Sequence, residues 1–235
     1  MKTKTFVLVV VAFLALAGVA QSAMWVGAQL GGNFPLKSNV DVNGVTFGDT
    51  TFRPSVIGGG TIGYDFINTG FGAYNWPDWM KYFSVATDLT YNRMVVEGQS
   101  GGLGDALANS ARFNGYMVAW SFLLRAQYGF MPDNEVPSGR VVPYIGVGPA
   151  VVFSGGDGSY ALVSVNNLTN TRFHVAQTNI GVVVEPGIRF MCLKNVSVDT
   201  AMRYRWCRPS WSGDDVNIKV PLNQLSFLVR ANYHF

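Results

Sequence analysis

Along most of this chain apolar and polar side chains alternate in steps of two, and no other feature restricts its fold as much. In 116–130, Tyr116, Val118, Trp120, Phe122, Leu124, Ala126, Tyr128 and Phe130 form one wholly apolar face, with Ser121, Arg125 and Gln127 opposite. In 178–191, Ile180, Val182, Val184, Pro186, Ile188 and Phe190 stand against Asn179, Glu185 and Arg189. The last stretch, LSFLVRANYHF at 225–235, repeats the pattern, and only Leu228 is out of phase. A period of two marks a strand whose two faces meet different media. Eight segments read this way: 25–34, 56–66, 82–93, 116–130, 141–153, 178–191, 196–206 and 225–235. The bulkier face is the apolar one, and the count is even.

The connections alternate as well. Long polar stretches (35–55, 94–115, 154–177 and 207–224) follow the odd strands and shorter ones follow the even strands. Long loops on one rim and short turns on the other predict an all-β fold, an eight-stranded antiparallel up-and-down transmembrane barrel with its short turns in the periplasm. The second connection, 67–81, is long for such a turn. Its Phe71, Tyr74, Trp76 and Trp79, with Tyr82 beyond, predict a lid or an interfacial aromatic belt. Pro143, Pro149 and Pro186 fall inside strands, where proline removes a ladder donor, so bulges are expected there.

Lys2 and Lys4 precede an apolar run from Phe6 to Val19, followed by the small residues Ala20, Ser22 and Ala23. This reads as a signal peptide over 1–23, cleaved between 20 and 23, ahead of a barrel domain over 24–235. The run is shorter than the ~20 residues of a spanning helix. No later stretch of about 18 residues is free of polar ones, so any crossing of a membrane uses strands. Hydrophobic residues make up 49% of the chain, yet no segment keeps a helical period. Without Lys2 and Lys4 the formal charge falls from +3 to +1, and no basic stripe points to nucleic acid. Cys192 and Cys207 flank one strand, too far apart for the ~7 Å Cα limit of a disulfide, so two free thiols are expected.

With the leader and the eight strands, LSFLVRANYHF resembles the C-terminal assembly signal of bacterial outer-membrane β-barrels. The mature chain is similar to the small eight-stranded family that includes the membrane domain of OmpA and the OmpX-like adhesins, and VPYIGVGPAVVF at 142–153 is similar to their fifth strand. The resemblance implies an integral outer-membrane, porin-like protein without enzymatic activity or cofactor. It implies that Phe235, Tyr233 and Phe227 form a signal read by the insertion machinery. It further implies, as partners, outer-membrane lipid and lipopolysaccharide, the barrel assembly machinery and periplasmic chaperones. A monomer with a structural or adhesin-like role through its long loops is expected. No segment after Phe235 would supply a peptidoglycan-binding domain. Two rivals differ in class: a narrow gated channel for ions or polar solutes, and a secreted soluble barrel of lipocalin type, which would turn its apolar face inward.

Candidate chemistry concentrates on the minor face. Asp65, Asp88, Glu185 and Asp199 are expected inside the barrel with Arg125, Arg189, Arg203, Arg205 and Arg230. Eight strands leave an interior wide enough only for side chains, and buried charges must be paired, so these groups predict an ion-pair plug. If Cys192 opposes Val196 around Leu193-Lys194-Asn195, Glu185 falls opposite Arg203 and Arg189 opposite Asp199, both of opposite charge. Gly58-Gly59-Gly60-Thr61-Ile62-Gly63 matches a dinucleotide fingerprint, but a strand continues through it where a helix should begin, so the glycines are expected to relieve crowding. Of the two histidines only His174 lies near the outer rim, where lipid-modifying or proteolytic barrel enzymes keep a base. No metal site is expected. The loops are rich in Gly, Asn, Ser and Asp, with Phe47, Phe52, Phe113, Tyr160 and Phe173 scattered among them, and would carry any surface recognition.

Overall fold

The computed structural model describes residues 24–42, 45–66, 75–100, 110–164, 167–212 and 217–235. The leader expected over 1–23 lies outside them. Strands run at Met24–Pro35 (β1), Ser38–Val42 (β2), Val45–Thr50 (β3), Ser55–Asp65 (β4), Phe83–Ser100 (β5), Ser110–Gln127 (β6), Val141–Ser164 (β7), Asn167–Leu193 (β8), Val196–Cys207 (β9), Ser210–Ser212 (β10), Asn217–Lys219 (β11) and Leu222–His234 (β12). Eight of these close into an antiparallel barrel in the order β1-β12-β9-β8-β7-β6-β5-β4. The seam is the β1–β12 ladder, running from Trp25 opposite His234 to Pro35 opposite Gln224. Closure leaves no unpaired edge, the one way a sheet can satisfy its backbone in hydrocarbon.

The apolar face points outward. Ile180 is 78% exposed, Val56 69% and Leu30 64%, and Leu89, Trp120, Leu124, Ile145, Phe227 and Val229 stand out from the same wall. Water would not tolerate so continuous an apolar surface, whereas lipid requires it. The soluble lipocalin alternative is thereby overturned. Leu228, out of phase in the sequence, faces inward and packs in a buried cluster with Ile57, Tyr144 and Ala201.

The loops differ from expectation. The stretch 94–115 is largely a continuation of β5 and β6, paired up to Ser100 opposite Ser110. The stretch 154–177 carries the β7–β8 ladder on to Ser164 opposite Asn167. Segments 35–55 and 207–224 contribute β2, β3, β10 and β11, which form a separate four-stranded sheet, β10-β11-β2-β3. Above the lipid both faces of a strand meet water, so pairing persists while the alternation that reveals it fades.

The proline bulges are absent. The β7–β8 register runs unbroken past Pro143, Pro149 and Pro186. Across β6–β7 the rungs Ser121↔Ala150 and Leu124↔Val147 keep one register on either side of Pro149. Val184↔Tyr204 and Gly187↔Ala201 do the same around Pro186 on β8–β9. A missing N–H is accommodated by dropping local rungs on one side without inserting a residue.

Register shifts do occur elsewhere, in β2–β3, in β5–β6 and at the hairpin between β8 and β9. Leu193, and not Cys192, opposes Val196 across Lys194-Asn195, and the register shifts between Met191 and Leu193. A two-residue turn absorbs the odd residue this way, and beyond it Arg189 opposes Asp199. Both cysteines are free, Cys192 exposed and Cys207 buried. In the second connection, 67–74 lie outside the described residues. A 3-10 turn at Asp78–Tyr82 follows. Its aromatic neighbours form a belt on the wall: Trp76 meets Phe66, Trp79 meets Phe83, and Tyr82 stacks on Tyr128 at 5.7 Å.

Candidate functional site

Alternation aims one column of each barrel strand at the axis, and the columns of β4, β5, β6, β8, β9 and β12 bring the nine predicted charged residues inside. The central group gathers on Glu185 of β8. Arg203 Nε donates to Glu185 Oε2 at 2.7 Å, Arg230 Nη2 to the same oxygen at 2.5 Å, and Arg125 Nη2 to Oε1 at 3.3 Å. Arg203 spends its other two nitrogens on Asp88, donating at 3.0 and 2.5 Å in a two-pronged contact. Arg230 is completed by Gln29 Oε1 at 2.7 Å and the Tyr144 hydroxyl at 2.9 Å.

A second group lies toward the end of the short turns. Arg189 Nη1 donates to Asp65 at 2.9 Å, and its Nε is 3.6 Å from Asp199. Asn232 donates to Asp199 at 2.9 Å and Trp25 Nε1 to Asp65 at 3.3 Å. The Trp25 ring joins the two groups, with the Arg125 and Arg189 guanidiniums each 5.0 Å from it. Desolvated cation–π contacts of this kind are worth about 2 kcal/mol. Gly63 on β4 makes the room: a Cβ there would lie 2.1 Å from Trp25. Gly187 does the same for the Tyr144 ring, where a Cβ would come within 2.5 Å.

Arg205 is the one predicted member not brought to a carboxylate. It donates to Thr90 Oγ1 at 2.9 Å and to the Met117 sulfur at 3.8 Å. Above the charged groups, at the end where the long hairpins leave, Phe52, Met94, Met117, Val220, Leu222 and Cys207 are buried, mixed with the buried polar Asn92, Ser154 and Gln224. The interior is therefore an ionic middle under a mixed, mainly uncharged cap. Sequence reading missed Trp25, Tyr144, Gln29 and the cap residues. Their signal was phase, since Trp25 stands in one column with Gln29 and Asn33, and Met117 in one column with Ser121 and Arg125.

Among the described residues no group of His, Cys, Asp and Glu is arranged to hold a metal. His174 Nδ1 is 2.9 Å from Asp157 Oδ1 on the β7–β8 hairpin, and both side chains are largely exposed. At the opposite rim the Phe235 N–H donates to the Met24 carbonyl at 3.0 Å, its ring meets Tyr233 edge-on, and Tyr233 and Phe227 face outward.

A family model described as the outer membrane protein beta-barrel domain matches residues 6–235. No curated protein matches the sequence. Among solved structures, the outer membrane protein OprG from Pseudomonas aeruginosa is similar, with a TM-score of 0.54 and 14% identity over 91% of this chain and 97% of OprG. Neisserial surface protein A gives a TM-score of 0.42 and 16% identity over 88% of this chain and 95% of its own. Ail, the attachment invasion locus protein of Yersinia pestis, gives 0.36 and 15% over 91% and 99%. At 14% identity, the likeness to OprG is one of fold.

Proposed function

Because this chain belongs to the family of outer membrane protein β-barrel domains and is integral to the outer membrane, we propose that it acts at the cell surface through its outer hairpins, with a closed, non-enzymatic barrel as their base. One observation carries the reading. Arg125, Glu185, Asp199, Arg203 and Arg230 each have 0% exposure, so no water-sized sphere touches charged groups that would line a passage. The buried, mainly uncharged layer above them supports it further, since it offers an ion no charged partner. The paired β5–β6 and β7–β8 extensions carry the sheet beyond the lipid zone, where recognition can reside.

The test is conductance in planar bilayers paired with binding of whole cells to candidate surfaces before and after trimming the β7–β8 hairpin. Electrically silent barrels and loss of binding on trimming are expected. Large, stable, open conductance would overturn the reading. A second reading, a narrow gated path, has Arg205 in its favour, a buried cation with no carboxylate partner among the described residues. Such a path would select anions, and brief anion-selective openings abolished by Arg205→Gln would establish it.

A further inference from the structure

Charge does not balance inside the barrel. Among the described residues, Arg125, Arg189, Arg203, Arg205 and Arg230 face only Asp65, Asp88, Glu185 and Asp199, which leaves one positive charge over. The contacts locate it. Glu185 and Asp88 are taken by Arg125, Arg203 and Arg230, a set with one positive charge in excess. Asp65 and Asp199 are taken by Arg189, a set with one negative charge in excess. The two sets cancel, and the surplus belongs to Arg205. It is 1% exposed, with the Thr90 hydroxyl and the Met117 sulfur as its partners. A guanidinium does not shed its proton, and a buried charge needs a counter-charge.

Unused donors gather on the wall beside it. Arg205 Nε has no hydrogen-bond partner, and neither have the two amide atoms of Gln224, which opposes Arg205 from β12. Two residues further along β12, Ser226 opposes Asn33 of β1. Asn33 Oδ1 accepts from the Ser226 hydroxyl at 2.8 Å, while its Nδ2 has no partner. Gln224 and Asn33 both have 0% exposure. Three neighbouring strands, β9, β12 and β1, thus each present a buried N–H with nothing to donate to, within two residues of one level and between the ionic middle and the cap. Buried donors are nearly always satisfied, so three exceptions side by side need a cause. Water would satisfy the donors and leave the charge, whereas an anion answers both.

We infer that this part of the interior binds a small monovalent anion, of the size and charge of chloride, held by Arg205 Nε, Gln224 Nε2 and Asn33 Nδ2. The inference rests on the closed barrel proposed above, because a water-filled passage would screen Arg205 without a bound ion. One negative charge matches the surplus, and a doubly charged phosphate or sulfate would overshoot it. A monatomic anion also accepts from any direction, which suits donors that arrive from three strands. Charge-assisted bonds to it are strong where water is excluded. With the cap above and the ion pairs below, the anion is taken up as the barrel folds and acts as part of its structure.

The test folds the full-length barrel from urea into phosphatidylcholine vesicles at fixed ionic strength, with bulky gluconate replaced stepwise by chloride. Tenfold more chloride is expected to raise the folding equilibrium constant up to about tenfold, the linkage of one bound ion. Arg205→Met, which removes the surplus charge, should lose that response, and Lys37→Gln, which removes an exposed cation, should keep it. Crystals of the wild-type barrel grown in sodium bromide should show an anomalous-scattering peak beside Arg205 Nε. Folding of Arg205→Met is read from its unboiled gel mobility, and if it does not fold the bromide peak decides alone. A wild type indifferent to chloride, an equal response in folded Arg205→Met, or bromide found only on the surface would overturn the site. Electrically silent bilayers together with a missing peak would reject the anion and leave the closed barrel standing. Open conductance would overturn the closed barrel and, with it, the need for a bound counterion.

Discussion

Glu185 is the residue on which the interior turns, because three arginines reach it and only one of them, Arg203, has a second carboxylate in Asp88. Removing its charge strands Arg125 and Arg230, both with 0% exposure, without their carboxylate. Breaking a buried pair costs about 3–5 kcal/mol, and Glu185→Gln is expected to reach at least that range in urea unfolding from lipid vesicles. Arg203→Gln should be as harmful, since it leaves Asp88 unpaired. The double change removes both charges at that contact and should cost less than the sum of the two. Strict additivity would show that the Glu185–Arg203 contact couples nothing. That these charges face inward was legible from alternation alone. That Trp25 and Tyr144 pack among them was not, because an aromatic ring over a guanidinium obeys polar phase while looking apolar by composition.

At the scale of elements, strand positions in the lipid zone were legible because two media force the period of two. The outer extensions of β5 to β8 and the small sheet of β2, β3, β10 and β11 were not, since backbone pairing there leaves no side-chain signature. The turn between β6 and β7 was legible as short, but its chemistry needed geometry. Asp133 Oδ1 accepts from the backbone N–H groups of Glu135 at 2.9 Å and Val136 at 2.7 Å, and its other oxygen pairs with Arg140. Gly139 closes the turn at φ +102°, a conformation that L side chains rarely adopt. The Val136 N–H, then the Arg140 guanidinium, hold the Asp133 carboxyl below its usual range. A depressed acid contributes stability above its unfolded pKa and loses it as pH falls through the folded value. Carboxyl resonances of Asp133 should thus titrate below those of an unstructured peptide. In Asp133→Asn that part of the acid sensitivity should vanish. An unshifted midpoint would remove this turn from the acid response.

At the scale of the molecule, every barrel strand has two neighbours, so no strand can be lost without exposing two edges to lipid. The barrel is expected to survive SDS unless boiled, giving two mobilities on a gel. Identical mobility of boiled and unboiled samples, in a preparation whose circular dichroism shows folded sheet, would contradict it. The role proposed for Phe235 is tested in cells: Phe235→Ser should lower the amount of barrel reaching the outer membrane while leaving refolding of purified protein nearly unchanged. Accumulation at wild-type level and rate would assign the residue to packing alone.

The seam between β1 and β12 joins the earliest and latest strands of the barrel, with Gly31 so close to the Phe227 carbonyl that a Cβ would lie 1.9 Å from it. A ribosome therefore releases β12, the partner that closes β1, only after every other strand of the barrel has been made. Until then the nascent polypeptide cannot complete its circle, and any copy cut short remains an open ribbon that proteases can grip. Topology thus works as an inspection step, since a barrel that closes has, by that fact, received all eight of its strands.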